Sequence, residues 1–247
     1  MAELTERRRQ AHLIGLLTFA SGGIDVVTLM VIGGSFTSVI TGNLIFIGRA
    51  IGTSSLSPAL HAIMAVAGYV AGVAVGSKLR QLLSRRAPQG PWPRSATQVL
   101  AVEWVILAGL NVAWISYHAA PPTAASDILL VAAALALGMQ GAAARSIKGN
   151  PSTTYMTGAL TALVEALSTG GRRTADASAA VGLLCLVAGG ACSAVLVEHA
   201  SRVALLPPLA ALGLVVVIML SRHAKEEPTE AVPARAAGSL ESDSTFG

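Results

Sequence analysis

Six apolar stretches of about 20 residues dominate this sequence and decide what the chain can fold into. A helix of that length crosses the hydrocarbon core of a bilayer, where the backbone must satisfy its own hydrogen bonds. Charged residues make up only 12% of the chain and hydrophobic residues 53%, whereas soluble domains carry about 25% charged residues. The predicted spans are His12–Ile32, Pro58–Leu79, Thr97–His118, Ile128–Ile147, Ala177–Val197 and Val203–Leu220. The sequence therefore predicts an all-α polytopic membrane protein.

A polar joint at residues 119–127, which contains two prolines and an aspartate, divides these spans into two sets of three. We expect residues 12–118 to form a first membrane repeat and residues 128–221 a second. Residues 1–11 are basic and are expected to form a cytoplasmic N-terminal tail. Residues 222–247 are rich in Pro, Glu, Ser and Ala, a composition that favours a disordered cytoplasmic tail.

Two short polar segments in apolar sequence indicate that the two sets are related. Phe36–Gly52 reads FTSVITGNLIFIGRAIG, and Thr153–Thr169 reads TTYMTGALTALVEALST. Their Thr-Gly pairs lie 116 residues apart, and a glycine precedes each pair by 19 residues. Gly/Ser or Gly/Pro breaks precede both segments, and Ser35 or Thr37 could cap a helix that starts at Phe36. Internal repeats of this kind set the architecture of a chain.

The path of the short segments determines the topology. At about 24 Å, a helix over the first segment is short for a bilayer, which suits a re-entrant or broken helix. If both segments are re-entrant, six spans place fifteen Lys and Arg residues on the side of the termini and two on the other side. If both segments cross, eight spans give nine against eight. Because cytoplasmic loops carry the excess of Lys and Arg, the distribution favours six spans with both termini cytoplasmic.

Three spans in each half mean that the second half enters the membrane from the opposite face. The expected fold is therefore six transmembrane helices plus two short re-entrant or broken helices, arranged as two inverted three-span repeats. Inverted repeats with broken helices at matching places are a recurrent plan of secondary transporters.

Several of these residues also resemble a known family. The pattern Gly23-x-Asp25, Phe36 and Thr41-Gly42-Asn43 resembles the first-half signature of the YoaK family of bacterial inner-membrane proteins. Its second half is similar to Gly138-x-Gln140, Arg145 and Thr154-x-x-Thr157-Gly158-x-Leu160. The resemblance covers roughly residues 12–221 and implies a multi-pass protein of the bacterial inner membrane. The family has no known activity, so the resemblance implies no function.

Seven polar or small residues are the candidates for a substrate or ion pathway. Asp25 is the strongest single candidate, because an ionisable group inside a span costs about 2.5–3.5 kcal/mol on insertion scales and usually faces the bundle interior. It could bind a proton or cation, or it could be a structural acceptor for backbone near Gly22-Gly23 or for a threonine such as Thr41. Polar and small residues are also ordinary contacts between helices. The other candidates are Thr41, Gly42, Asn43, Gln140, Thr157 and Gly158.

The sequence contains none of the catalytic motifs that would indicate an enzyme. We expect no catalytic residues, no cofactor and no nucleic-acid partner, since the basic residues flank apolar spans. The five His residues lack ligand spacing, so we expect no metal site, and the two Cys residues are expected to pack as small apolar groups. Glu103 beside Trp104 suggests an anchor at the membrane interface.

The sequence favours a transporter or permease for an unidentified small solute, with a site between the two repeats. The alternative is a non-transporting membrane module that binds lipid or a partner protein. The expected partners are the lipid bilayer and, for a transporter, the solute. The Gly-rich second and fifth spans could pack within one chain or between chains, so a homo-oligomer is also compatible with the sequence.

Overall fold

A computed structural model describes residues 2–53, 56–84, 91–147, 156–169 and 174–225. Eight α-helices account for nearly all of these residues, and the described part of the chain contains no strand. The helices are α1 (Ala2–Val27), α2 (Ile40–Gly52), α3 (Leu56–Ser84), α4 (Arg94–Ser116), α5 (Thr123–Ala144), α6 (Met156–Ser168), α7 (Thr174–Ala200) and α8 (Leu206–Lys225). A π-helical turn, Thr28–Ile32, extends α1, and a 3-10 turn, Ser201–Val203, lies between α7 and α8.

Six of these helices are long and apolar enough to cross a membrane, namely α1, α3, α4, α5, α7 and α8. The two shorter apolar helices, α2 and α6, fall in the two repeated segments. The predicted class, an all-α polytopic membrane protein, is confirmed.

Most ends of the long helices differ from the predicted spans by two to five residues, and two further differences are of another kind. The first helix begins at Ala2, so most of the predicted N-terminal tail is helical; its Ala, Glu, Arg and Gln residues are good helix formers. The short helix α2 begins at Ile40, four residues after the predicted start at Phe36, and no side chain caps it. The break between α5 and α6 and residues 226–247 lie outside the described residues.

Close glycine contacts pair helices of the first half with helices of the second. A methyl group at Gly72 on α3 would lie 2.0 Å from the backbone oxygen of Leu135 on α5. A methyl group at Gly189 on α7 would lie 2.0 Å from the backbone oxygen of Phe19 on α1. Small residues let backbones approach this closely in lipid, where packing rather than water drives helix association. The glycine-rich faces are therefore contacts within one chain.

The direction of the helices follows from contacts near their ends. On α3, Gly68 is close to Val131 and Gly76 to Met139 on α5, so α3 and α5 run in the same direction. Gly33 at the end of α1 is next to Leu130 near the start of α5. Gln140, towards the end of α5, bonds to Leu17 and Ser21, which lie earlier along α1 than Gly33. Helix α1 therefore runs opposite to both α3 and α5.

The connection from α1 to α3, which contains α2, starts and finishes at one end of the bundle. A methyl group at Gly33, just after α1, would lie 3.5 Å from the His61 ring near the start of α3. The chain therefore leaves α1, forms α2 and enters α3 without changing ends. Near the opposite end, Gly15 on α1 is beside Val181 on the early part of α7, so α6 connects α5 to α7 there.

Candidate functional site

The carboxylate of Asp25 is buried and holds the segment that follows α1. Its Oδ1 accepts hydrogen bonds from the backbone N–H of Thr37 at 2.6 Å, the Thr37 hydroxyl at 2.8 Å and the backbone N–H of Ser38 at 2.8 Å. Its Oδ2 accepts a bond from the Ser38 hydroxyl. A threonine was expected among its structural partners, and Thr37 fills that role in place of Thr41; backbone near Gly22-Gly23 does not bind it. Asp25 is thus an acceptor for four donors from one non-helical segment.

The chain reaches Asp25 because α1 ends in a sharp reversal. The Thr28 carbonyl accepts bonds from the N–H groups of both Gly33 and Gly34, and Gly34 has φ +62°, a left-handed conformation that favours glycine. Asp25 lies seven residues before Ile32, about 10 Å along a helix. The residues after Gly34 therefore turn back into the bundle to the depth of Asp25, and α2 returns to the end from which they came.

Asn43 fixes the same segment from α2. Its side-chain oxygen accepts the backbone N–H of Phe36 at 3.0 Å, and its amide nitrogen donates to the Phe36 carbonyl at 2.6 Å. Gly42 leaves room for the Phe36 ring, which would lie 3.1 Å from a methyl group there. The ring also stacks on Phe46, with centroids 6.1 Å apart. In this structure Gly42 and Asn43 act as a support for the segment.

Buried polar side chains lie along α1 both before and after Asp25. Thr18, Ser21 and Thr28 are all buried, and each hydroxyl donates to a carbonyl oxygen in the preceding turn. Their spacing places them with Asp25 on one face of α1. From α5, the buried Gln140 donates from its side-chain nitrogen to the Ser21 hydroxyl at 2.7 Å and to the Leu17 carbonyl at 3.2 Å.

The remaining candidates lie on the outside of the bundle. Thr41, Thr157 and Gly158 are exposed, and Gly42 is half-buried. The structure thus brings together Asp25, the following segment, Asn43 and Gln140 along α1, while the Thr-Gly pairs face outward on α2 and α6. Ala159, at the position that corresponds to Asn43, is buried and cannot make its hydrogen bonds.

Sequence reasoning missed three features of this region. It treated Ser35 or Thr37 as a helix cap, whereas Thr37 and its neighbour Ser38 bind Asp25. It did not identify Ser21, although the four-residue spacing from Ser21 to Asp25 was a usable signal for one helix face. It placed Glu103 at the membrane interface, but this side chain is fully buried.

One ion pair joins the two ends of the chain outside the spans. The guanidinium of Arg222 donates two hydrogen bonds of 2.9 Å to the carboxylate of Glu6. These bonds, opposed by partial desolvation and aided by the charges of Arg222 and Arg9, lower the pKa of Glu6. The pair links the start of α1 to the end of α8.

Comparison with known proteins identifies the family and one relative. Residues 13–218 match the family model described as a protein of unknown function, DUF1275. The UPF0700 transmembrane protein YoaK of Bacillus subtilis (strain 168) is 32% identical over 158 residues, which are 63% of this chain and 66% of that protein. The chain therefore covers slightly less than two thirds of this relative. No solved structure matches the chain.

Proposed function

The chain belongs to the DUF1275 family and is a multi-pass membrane protein, and we propose that it is a transporter for a small solute. Transport proceeds by separation of two groups of helices at a boundary that Asp25 and Gln140 bridge. The single observation that carries this proposal is that these two polar side chains are buried inside the bundle and form hydrogen bonds from one group of helices to the other.

Matched contacts in the two halves support an inverted repeat. A methyl group at Gly22 would lie 2.3 Å from the Leu186 oxygen, and one at Gly138 would lie 2.3 Å from the Tyr69 oxygen. Gly138 follows Gly22 by 116 residues, and Leu186 follows Tyr69 by 117. The 2.0 Å contacts of Gly72 and Gly189 correspond in the same way. Each half thus contributes the same contact to the other, as expected for repeats related by an axis in the membrane plane.

The helix packing favours a boundary that differs from the division between the repeats. Helix α1 packs closely on α7 and α8, and α6 packs on α7; we call α1 and α6–α8 group A. Helix α5 packs closely on α3 and α4, and α2 packs on α3; we call α2–α5 group B. Helices α1 and α5 are not a closely packed pair. The two groups also touch, chiefly where α4 packs on α8, but more close helix contacts join the two repeats than join the two groups. Movement of group A against group B is therefore easier than movement of one repeat against the other.

Several polar contacts cross this boundary, such as the hydrogen bond from Trp104 of α4 to the Leu209 carbonyl of α8. Two others involve α1. Gln140 of group B donates to Ser21 and to the Leu17 carbonyl of group A. Asp25 of group A accepts four bonds from the segment that leads into α2 of group B. Because such bonds form only when the groups are together, they stabilise one closed arrangement. A solute or ion that competes for Asp25 or Gln140 would shift the equilibrium towards another arrangement.

We also propose a bacterial inner-membrane location with both termini cytoplasmic. The basic residues near the ends of the spans support this orientation, because fifteen of the seventeen Lys and Arg residues fall on the side of the termini in a six-span scheme.

Distances between spin labels in the reconstituted full-length chain test the proposal without knowledge of the solute. Ile45 on α2 of group B and Val195 on α7 of group A are exposed towards one end of the bundle. Leu82 on α3 of group B and Val164 on α6 of group A are exposed towards the other end. Cys185 and Cys192 are replaced by Ala, and a Cys is introduced at both positions of one pair to carry the spin labels. Pulsed electron paramagnetic resonance then measures the distance between the two labels.

The expected result is two distance populations at each end, with opposite changes when Asp25→Asn removes one bridge. A matched variant, Glu198→Gln, alters an exposed carboxylate on α7 and should leave the populations unchanged. One population at both ends, in the wild-type protein and in Asp25→Asn, would contradict transport by this movement.

A non-transporting module is the second candidate, and one observation favours it. The repeated Thr41 and Thr157 face outward instead of lining a path between helices, as a surface for lipid or a partner protein requires. This function predicts a single distance population together with a loss of lipid or partner binding in Thr41→Val and Thr157→Val.

A further inference from the structure

A second buried acid, Glu103, has no role in the bridges described above. It is the tenth residue of the 23-residue helix α4, and its side chain is 0% exposed. Leu100 and Leu107, one turn before and one turn after Glu103, are buried on the same side of α4 and flank its position with apolar side chains. The carboxyl group therefore sits at the centre of the packed face of a membrane span.

Contacts of α4 with its neighbours place Glu103 well inside the bundle. Ser95 near the start of α4 accepts a hydrogen bond from Ser84 at the end of α3. Helices α3 and α4 run in opposite directions from this contact. Glu103, eight residues after Ser95, is therefore level with Gly76, eight residues before Ser84, where α3 touches α5. The adjacent Trp104 donates at 3.1 Å to the Leu209 carbonyl on α8. Glu103 thus lies at a depth where helices from both groups are present.

Neither carboxyl oxygen of Glu103 has a hydrogen-bond partner in the described part of the chain. The helices packed against α4 carry other titratable or charged groups, but none of these forms an ion pair with Glu103 in the part of the chain that the structure describes. They are His61, Lys78 and Arg80 on α3, Asp127 and Arg145 at the ends of α5, Arg202 before α8, and Arg222, His223 and Lys225 on α8; Arg94 lies on α4 itself.

A charged carboxylate in these surroundings is physically untenable. Transfer of an isolated ionised carboxylate into an apolar interior is so costly that such a group binds a proton instead. A neutral acid in the same place loses only the hydrogen bonds that it would make with water, which is a much smaller cost. Asp25 differs from Glu103 because its carboxyl oxygens accept four hydrogen bonds.

We infer that Glu103 is the proton-binding site of this protein: it holds a proton while groups A and B are together and exchanges it with water when they separate. The inference rests on the proposed transport function and names the proton as the coupling ion. The exchange forms and breaks one O–H bond of the carboxyl group, with water as the proton acceptor. Asp25 then serves as a bridge and is not the proton carrier.

Infrared difference spectroscopy of the full-length protein in lipid vesicles tests this directly. The probe is the carbonyl stretch of a protonated carboxylic acid, measured at neutral pH in H₂O and in D₂O and during a titration to alkaline pH. We expect a band that shifts to lower frequency in D₂O, disappears at alkaline pH and is absent from Glu103→Gln. Glu198→Gln, the same substitution at an exposed site, and Asp25→Asn should both retain the band.

Three outcomes would overturn the inference. They are the absence of the band at neutral pH, a band that survives in Glu103→Gln, and a band that does not shift in D₂O because the proton never reaches water. Glu103→Gln should also retain the wild-type melting temperature at neutral pH, since a neutral amide replaces a neutral acid; marked destabilisation would reveal a hidden partner for an ionised Glu103 and count against the inference.

The experiments distinguish failure of the proton-binding inference from failure of the proposed transport function. An exchanging band assigned to Glu103, together with a single distance population at both ends of the bundle, supports the proton site and contradicts transport. Two distance populations without the band support transport and overturn Glu103 as the proton carrier.

Discussion

The residues before α2 and before α6 occupy corresponding places in the sequence of the two halves, but the polar side chains that bind the first segment have no counterparts in the second half. In the first half, Asp25 and Asn43 together make six hydrogen bonds with Phe36, Thr37 and Ser38. In the second half, Gly141 and Ala159 stand at the corresponding positions and have no polar side chain. The glycine contacts between the long helices, by contrast, match closely in both halves.

This difference separates two tasks within one repeat. The packing of the long helices is shared and holds the bundle together, whereas Asp25 and Asn43, which bind the segment before α2, have no polar counterparts at the corresponding positions of the second half. Under the proposed function, we therefore expect release of Asp25 to open the end with α2 and to shift the distances at the end with α6 in the opposite direction.

Removal of the Asp25 carboxylate should produce the largest effect. Asp25→Ala leaves four donors without their acceptor, and each buried unsatisfied group costs about 1–3 kcal/mol. We expect a loss of at least about 3 kcal/mol in the stability of the segment, seen as much faster hydrogen exchange of the Thr37 and Ser38 amides. Glu165→Gln, on exposed α6 of the second half, is the control and should change stability by no more than about 0.5 kcal/mol. Unchanged exchange of the two amides would refute the support role.

Substitution of the shared glycines tests the matched part of the comparison. Gly72→Ala and Gly189→Ala each push a methyl group to within 2.0 Å of a backbone oxygen, so the helices must move apart. We expect both to lower the unfolding free energy by about 1–3 kcal/mol and by similar amounts, measured by thermal unfolding in detergent. Gly109→Ala, with no atom within 4 Å, should be neutral or slightly stabilising. A large difference between Gly72→Ala and Gly189→Ala would break the equivalence of the two pairs.

Substitutions at Asn43 and at the corresponding Ala159 test whether the side-chain amide is needed in the first half only. Asn43→Ala leaves the backbone N–H and carbonyl of Phe36 unpaired and should cost about 1–3 kcal/mol. Ala159→Asn introduces a buried amide into the second half and should also destabilise the protein, by a similar amount, if no backbone group is placed to receive it. Thermal unfolding of both variants checks this. A stabilising Ala159→Asn would show that the second segment has the same backbone arrangement as the first.

The pair between Glu6 and Arg222 joins the first helix to the last and should have a small, pH-dependent effect. Because the pKa of Glu6 is lowered in the folded protein, its contribution is present above the ordinary pKa of a glutamate and is lost as the pH falls through the lowered value. A partly exposed pair contributes at most about 1 kcal/mol. The melting temperatures of wild type and Glu6→Gln should differ slightly at neutral pH and converge in acid. A constant difference at all pH values would exclude the carboxylate as its cause.

The outward Thr residues should have the smallest effect. Thr41→Val and Thr157→Val alter exposed side chains, so stability should change by less than about 0.5 kcal/mol, and the distance populations at both ends of the bundle should remain as in the wild type. Altered populations in only one of the two variants would mean that the Thr-Gly pairs differ in function as well as in their surroundings.

Periodicity and charge predicted the fold because the bilayer restricts the chain so strongly. Lengths of apolar sequence gave the six long helices, and the repeated Thr-Gly segments gave the two short ones. The exposure of Thr41 and Thr157 was not predictable, since a polar residue on a short helix can face either the bundle or its outside. The partners of Asp25 were equally hidden, because Gly34 with its positive φ turns Thr37 and Ser38 back into the bundle.

The position of Glu103 shows the limit of local pattern reading. A Glu next to a Trp is typical of an interface, and Trp104 does lie partly exposed on α4. Adjacent residues on a helix point about 100° apart, however, so the neighbour of a surface residue can be fully buried. Only the packing of α3, α5 and α8 around α4 decides which of the two faces inward.

The contacts between Phe19 and Gly189 and between Gly22 and Leu186 also constrain how this protein is made. The chain is synthesised from its N-terminus, so α1 enters the membrane long before α7, its close-packing partner, has left the ribosome. The face of α1 that carries Phe19 and Gly22 therefore has no α7 partner in lipid, or beside the insertion machinery, until the fifth long helix is inserted. A chain that stops after α5 would therefore be a substrate for membrane quality control, and the two repeats could mature only together.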